Sequence, residues 1–192
     1  LNIWTGSESL WIDDTDYMAC NISPIDTEKL KGRDCFAGLD LASTRDISAL
    51  VLIFPDDDDN FDIVPYFFVP EDKAKAQGVG DGVDYLTWID QKYIISTPGN
   101  VQDYNFIEAK FKELAEDFNI VSCAFDRWNS SQIVVNLIND GAKMNPIGMG
   151  FISLSAPSKL LEKLILNKQI NHGGNPVLRW MMGNVQLEID AA

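Results

Sequence analysis

Gly38-Leu39-Asp40-Leu41-Ala42-Ser43-Thr44-Arg45-Asp46 places a carboxylate, Asp40, in the middle of an apolar strand-like run. A second apolar run ends Cys123-Ala124-Phe125 and delivers Asp126, followed by Arg127-Trp128-Asn129. A carboxylate withdrawn from water is costly unless it is paired, protonated or bound to a metal. No lysine or arginine lies inside either strand, 36–42 or 120–126, to neutralise its acid. Two such acids from separate segments point to a divalent-cation site.

Working outward from Asp40, residues 36–42, 47–54 and 61–69 read as three successive strands joined by short polar turns, an antiparallel meander. Pro65 inside the third predicts an edge strand. Beyond it, helices alternate with strands, the pattern of parallel crossover units. Residues 82–91 form one predicted helix and 103–119 a stronger one, with Ile107, Phe111, Leu114 and Phe118 at helical spacing. Residues 120–125 are apolar on both faces, which predicts a central buried strand.

Ser130 can cap a helix running to Asp140, and Gly141 stops it where a left-handed residue is needed. A strand over 145–149 follows. Ser155 with Pro157 opens a helix striped by Leu160, Leu161, Leu164 and Ile165, and the loop Asn171-His172-Gly173-Gly174-Asn175 leads into 176–182. Three antiparallel strands followed by parallel ones, flanked by helices, is an α/β mixed sheet in ribonuclease H-like order. In such an open sheet, ligands gather at the carboxyl ends of the parallel strands, where Asp126 falls.

The chain has 192 residues, 46% of them hydrophobic, enough for a well-buried domain. Its formal net charge of −14 argues against a broad basic surface and predicts long-range repulsion from nucleic acid. The run Asp56-Asp57-Asp58-Asp59-Asn60 reads as a solvated hairpin turn, because it lacks the alternating ligands and closing glutamate of a calcium loop. Three dispersed cysteines, Cys20, Cys35 and Cys123, and a single histidine, His172, exclude a zinc site of the usual ligand count, so magnesium or manganese fits better. Cys123 reads as a small buried hydrophobe. The absence of a membrane span or signal pattern, with an odd cysteine count, leads us to expect a protein of a reducing, intracellular compartment that is not secreted and has no membrane partner.

Residues 1–30 carry Trp4, Trp11, Tyr17 and Pro24 without periodicity and read as an arm, with the folded domain expected to begin near Arg33. Five blocks then carry a resemblance: Leu1-Asn2-Ile3-Trp4; residues 38–46; Thr97-Pro98-Gly99-Asn100; Phe125-Asp126-Arg127-Trp128-Asn129; and His172-Gly173-Gly174-Asn175-Pro176-Val177-Leu178-Arg179-Trp180. In this order they resemble the large terminase subunit of tailed bacteriophages, specifically its C-terminal nuclease half. The resemblance implies a nuclease using two divalent metal ions, Mg²⁺ or Mn²⁺, to cut concatemeric double-stranded DNA. It implies as partners an ATPase domain, a small terminase subunit and a portal. The motor's Gly-x-x-x-x-Gly-Lys-[Ser/Thr] loop does not occur in this sequence, so we expect no ATPase activity from it. Residues 1–30 would be the connection to that motor.

By the same resemblance, Asp40 and Asp126 correspond to the first two metal-binding, catalytic carboxylates, with Asp40 as the bridge between ions. The family's third acid lies in a downstream Lys-Ile-Asp-Gly-like segment, and this sequence stops at Asp190-Ala191-Ala192, so the expectation is truncation, or else substitution by Asp190. Asp46 is read as orienting a ligand from the outer shell or pairing with Arg45. Arg127, Asn129 and Lys159 are candidate DNA contacts, Lys159 from a helix start. Asp103 is read as a helix cap, His172 as a turn histidine bonded to backbone, and Trp128 and Trp180 as packing anchors. The rival from another class is a non-catalytic module docking the motor to portal and prohead. An integrase or resolvase fits less well, because the packaging-type blocks do not belong to those families.

Overall fold

The computed structural model describes residues 10–42, 46–77, 85–127 and 132–186. A short helix, α1 (Asp14–Met18), precedes the sheet. Strands β1 (Asp34–Asp40), β2 (Ser48–Pro55) and β3 (Phe61–Pro70) then form the expected meander, with Asp40 opposite Ala49 and Ser48 opposite Phe68. The chain continues through α2 (Glu71–Gln77), α3 (Tyr85–Asp90), β4 (Ile94–Thr97), α4 (Tyr104–Asp117) and β5 (Asn119–Asp126). It ends with α5 (Gln132–Asn139), β6 (Met144–Ile147), α6 (Phe151–Leu166), β7 (Ile170–Asn171) and α7 (Pro176–Met182).

The strands lie in the order β4-β3-β2-β1-β5-β6, with β7 also on β3. β5 runs parallel to both β1 and β6, and β4 runs parallel to β3. The carboxyl ends of β1, β3, β4, β5 and β6 therefore share one edge of the sheet. This is the mixed sheet, antiparallel then parallel, that the strand pattern predicts.

One face of the sheet is covered as its periodicity requires. Leu39, Leu50, Leu52, Phe54, Cys123 and Phe125 alternate inward and pack against Ile107, Phe111 and Leu114 of α4 and Ile133, Val134 and Leu137 of α5. Each fully buried side chain of this kind contributes about 1.5–3 kcal/mol. α4 starts where Asp103 caps it, accepting from the Asn105 N–H at 3.0 Å. α5 ends at a turn whose Gly141 has φ +93°, a conformation a β-carbon would strain.

The opposite face is layered unevenly. Over β3 and β4 it carries Val177 of α7, Ala74 of α2 and Tyr85 of α3, packed on Phe67, Val69 and Ile94. Over β1, β2 and β5, Val51 and Ala124 stay half-buried and Phe36 is exposed. β5 is thus central in the sheet, but it is buried on one face only.

The structure departs from the sequence reading in several elements. β3 is interior rather than an edge strand, being flanked by β2 and, on its other side, by β7 and β4. Pro65 is tolerated because it lies between the stretches paired with β7 (residues 61–62) and with β4 (67–70), where no strand needs its missing N–H. α6 starts at Phe151, not near Ser155, so Pro157 sits inside it and Lys159 in its middle rather than at its start. Of the predicted stripe, Ile165 is buried, Leu161 and Leu164 are half-buried, and Leu160 is exposed. The 82–91 helix is seen as α3 and begins at Tyr85, with residues 82–84 outside the described part.

Residues 10–30 were expected as an arm, and they pack on this same domain. Ile12, Tyr17 and Cys20 are buried with Ile165 and Ile170, while Leu30 joins the α4 core. Arg179 of α7 grips Asp14 of α1 with two bonds, Nε to Oδ1 at 2.8 Å and Nη2 to Oδ2 at 2.6 Å. His172 is buried in its turn and stacks on Tyr17 with ring centroids 4.3 Å apart. Its Nε2 donates to the Tyr17 carbonyl and its Nδ1 accepts from the Gly174 N–H, which makes it the backbone-bonded turn histidine expected. Trp180 packs as an anchor against Trp88 and Tyr85. Asp56 closes the acidic turn by accepting from the N–H groups of Asp58 and Asn60.

Candidate functional site

Asp40 ends β1 and Asp126 ends β5, each one residue past the last register pair of those strands, Leu39 with Phe125. Strict alternation turns Leu39 and Phe125 into the α4–α5 core, so both carboxylates leave the other face. There they line a cleft of about 220 Å³ with Gly38, Ala49, Val51, Ala124, Ile147 and Met149. The walls are almost entirely apolar, and Gly38, with no β-carbon, widens the floor between the two acids.

Electrostatics follow from this setting. Asp40 is solvent-accessible on the open side of the cleft. Partial desolvation by the apolar walls, and secondarily the negative charge of Asp126, nevertheless hold its carboxyl above the ordinary aspartate range. A divalent cation between the two would offset both penalties, and two strand-borne carboxylates are the oxygen donors that magnesium or manganese takes. Among the described residues no third Asp, Glu, His or Cys joins them to complete a cluster of three.

The segment following β1 is held from several sides. The Ala42 N–H donates to Ser48 Oγ at 2.9 Å, and the Ala42 carbonyl accepts the Tyr104 hydroxyl of α4 at 2.7 Å. Asp46 meets Lys73 of α2, with Nζ 3.5 Å from Oδ1. The Asp46 pairing is thus with Lys73, while Arg45 lies outside the described residues. Arg127 is exposed beside Asp126, and a β-carbon on Gly148 would lie 3.7 Å from its guanidinium and 2.9 Å from Ser153 Oγ. Gly148 thus permits the close approach of β6 to the start of α6. Lys159 is exposed on α6. Asn129, Trp128, the Ser130 cap and Asp190 lie outside the described residues.

Sequence reasoning missed Lys73, Tyr104 and Ser48. Tyr104 was legible in part, since it continues the helical spacing of Ile107 and Phe111. Nothing in the sequence connects Lys73 to Asp46, because only the turn from β3 into α2 brings them together.

A ribonuclease H-like mixed sheet with an acidic pair at its carboxyl edge defines the class of domain. The chain belongs to the terminase large subunit family, matching its endonuclease domain over residues 1–192. It is 32% identical over its whole length to the terminase large subunit of Enterobacteria phage HK97, of which it covers 38%. It is 23% identical over 96% of its length to the protein YmfN of Escherichia coli K12, covering 42% of that protein. The chain thus spans about two-fifths of these relatives. Among solved structures it resembles the HK97 large terminase, with a TM-score of 0.82 and 31% identity over 92% of this chain and 36% of the other. The large terminase nuclease of thermophilic phage G20c shares the fold, with a TM-score of 0.56 and 14% identity over 92% of this chain and 83% of that one.

Proposed function

We propose that this domain is the metal-dependent DNA endonuclease of a phage or prophage packaging terminase, cutting concatemeric double-stranded DNA by phosphodiester hydrolysis. The observation that carries this reading is the Asp40–Asp126 pair, held on adjacent rigid strands above an open cleft. Membership of the terminase endonuclease family supports it.

Asp40 and Asp126 are the residues that would hold two Mg²⁺ or Mn²⁺ ions, which supply Lewis-acid activation of water and stabilisation of the leaving oxygen. The chain's own part is positional. β1 and β5 fix the spacing of the carboxylates, the Tyr104 and Ser48 bonds fix the backbone just past Asp40, and the apolar walls limit competing water. Arg127 and Lys159, with Asn129, are the proposed phosphate contacts, and Asp190 the proposed substitute for a third acid. In a chain of charge −14, bound cations also reduce repulsion from the DNA backbone.

ATP hydrolysis is assigned to a separate motor domain, with small terminase, portal and host cytoplasm as the setting. Incubation of the chain with supercoiled plasmid in Mn²⁺ or Mg²⁺, with EDTA and Asp40→Asn as controls, tests the reading. Metal- and Asp40-dependent nicking supports it, and undiminished nicking by Asp40→Asn sinks the assignment.

A second reading, a non-catalytic module that docks the motor to portal and prohead, draws on one observation. Only two acids meet among the described residues. Binding to portal or small subunit with no metal-dependent cleavage, also in a chain extended past Ala192, would favour it.

A further inference from the structure

Lys73 is an unusual partner for a surface carboxylate. Its side chain is 11% exposed, whereas that of Asp46, 3.5 Å from its ammonium, is 92% exposed. Ordinary surface ion pairs have both members in water and contribute little to stability. Here the cation is covered and fixed, and the carboxylate is the member projecting into solvent.

The mount for Lys73 is rigid. α2 follows β3 directly, the Asp72 N–H beside Lys73 donates to the Gly99 carbonyl at 3.1 Å, and the next residue, Ala74, is buried with Phe67, Val69 and Ile94. Asp46 lies two residues before Ser48, the first residue of β2, whose hydroxyl already holds the Ala42 N–H two residues past Asp40. Tyr104 from α4 and Lys73 from α2 therefore anchor the two sides of the connection between β1 and β2. The little exposure of the Lys73 head also makes it a poor direct contact for a DNA phosphate.

We propose that Lys73 is a positioning residue that holds Asp46 in the setting from which this carboxylate orients water on a divalent cation bound between Asp40 and Asp126. This rests on the metal-site reading above. Partners of this outer kind fix the ligands that touch the ion, and their loss typically weakens binding by about ten-fold or more.

Calorimetric titration of the purified chain with Mn²⁺ alone tests the inference, with circular dichroism to verify the fold of each variant. Lys73→Met keeps the covered stem and removes the charge. Coulomb's law alone predicts tighter cation binding once a positive charge is gone, whereas positioning through Asp46 predicts binding ~10-fold weaker. Lys73→Arg should recover most of the affinity, and Lys73→Met should cause no further loss in an Asp46→Asn background. Unchanged or tighter Mn²⁺ binding by Lys73→Met overturns the proposal, as does an additive loss in the double variant. If wild type binds Mn²⁺ and Asp40→Asn does not, such a result removes only Lys73 from the site. If wild type binds no Mn²⁺, the cleft reading and this inference fail together.

Discussion

Asp40 and Asp126 terminate neighbouring parallel strands one residue beyond the Leu39–Phe125 pair, and both line the same apolar cleft. Adjacent strands lie ~4.8 Å apart. Two carboxylates held at about this spacing repel each other unless a proton or a cation intervenes, and that repulsion is the basis of the first two predictions.

Asp40→Asn should reduce metal-dependent plasmid nicking by ~10²-fold or more, the scale of losing one preorganised charge-stabilising group. The same variant should be more heat-stable than wild type at neutral pH without metal. The carboxyl of Asp40 is raised in the folded state, first by desolvation and then by Asp126. Its contribution to stability is therefore complete below the unfolded aspartate range and is lost as pH rises through the elevated folded value. Thermal melts of the two proteins in EDTA should converge at acid pH and separate as pH rises.

Divalent cation should stabilise wild type and not Asp40→Asn. Mn²⁺ at about 100 times its dissociation constant is worth ~2.7 kcal/mol of mass-action stabilisation. For a domain of this size that is a rise of roughly 5–10 °C in melting midpoint. Scanning fluorimetry with Mn²⁺, then with excess EDTA, measures it, and an equal rise in Asp40→Asn would move the ion elsewhere.

Tyr104→Phe should lower stability by about 1 kcal/mol, the usual worth of one hydrogen bond, because the Ala42 carbonyl loses its donor. Nicking should fall by more than this small loss implies, since the bond lies two residues past Asp40. Urea melts set beside plasmid assays separate the two effects.

Ile107→Ala should cost about 2–5 kcal/mol, measured by urea unfolding, because Ile107 is fully buried between α4 and the sheet. Nicking by the fraction that remains folded should be near wild type, as Ile107 faces away from the cleft.

The Asp14–Arg179 pair should contribute about 0.5–1 kcal/mol at neutral pH, discounted for its exposure. The Arg179 hydrogen bonds hold Asp14 below its ordinary range. Its contribution is therefore present above the unfolded aspartate value and lost as pH falls through the folded one. Melts of wild type and Arg179→Ala should therefore differ by this amount at neutral pH and converge as pH falls through the folded value.

Much of this molecule was legible along the chain. The meander, the α4 stripe from Ile107 to Phe118 and the two strand-end acids follow from period-2 and period-3.6 patterns, which are local properties of consecutive residues. Asp103 as a cap and Gly141 as a stop were legible for the same reason. The tertiary structure alone decided the rest. Pro65 sits in an interior strand because two different partners leave a gap beside it, and no local pattern records who the neighbours are. α6 runs through Pro157 although proline propensity argued for a start there. Lys73 reaches Asp46, and Tyr104 reaches Ala42, across separations of 27 and 62 residues that only the folding of the sheet closes. The identity of the acids was thus written in sequence, whereas their shared face, their apolar cleft and the groups that brace them depend on which strands become neighbours.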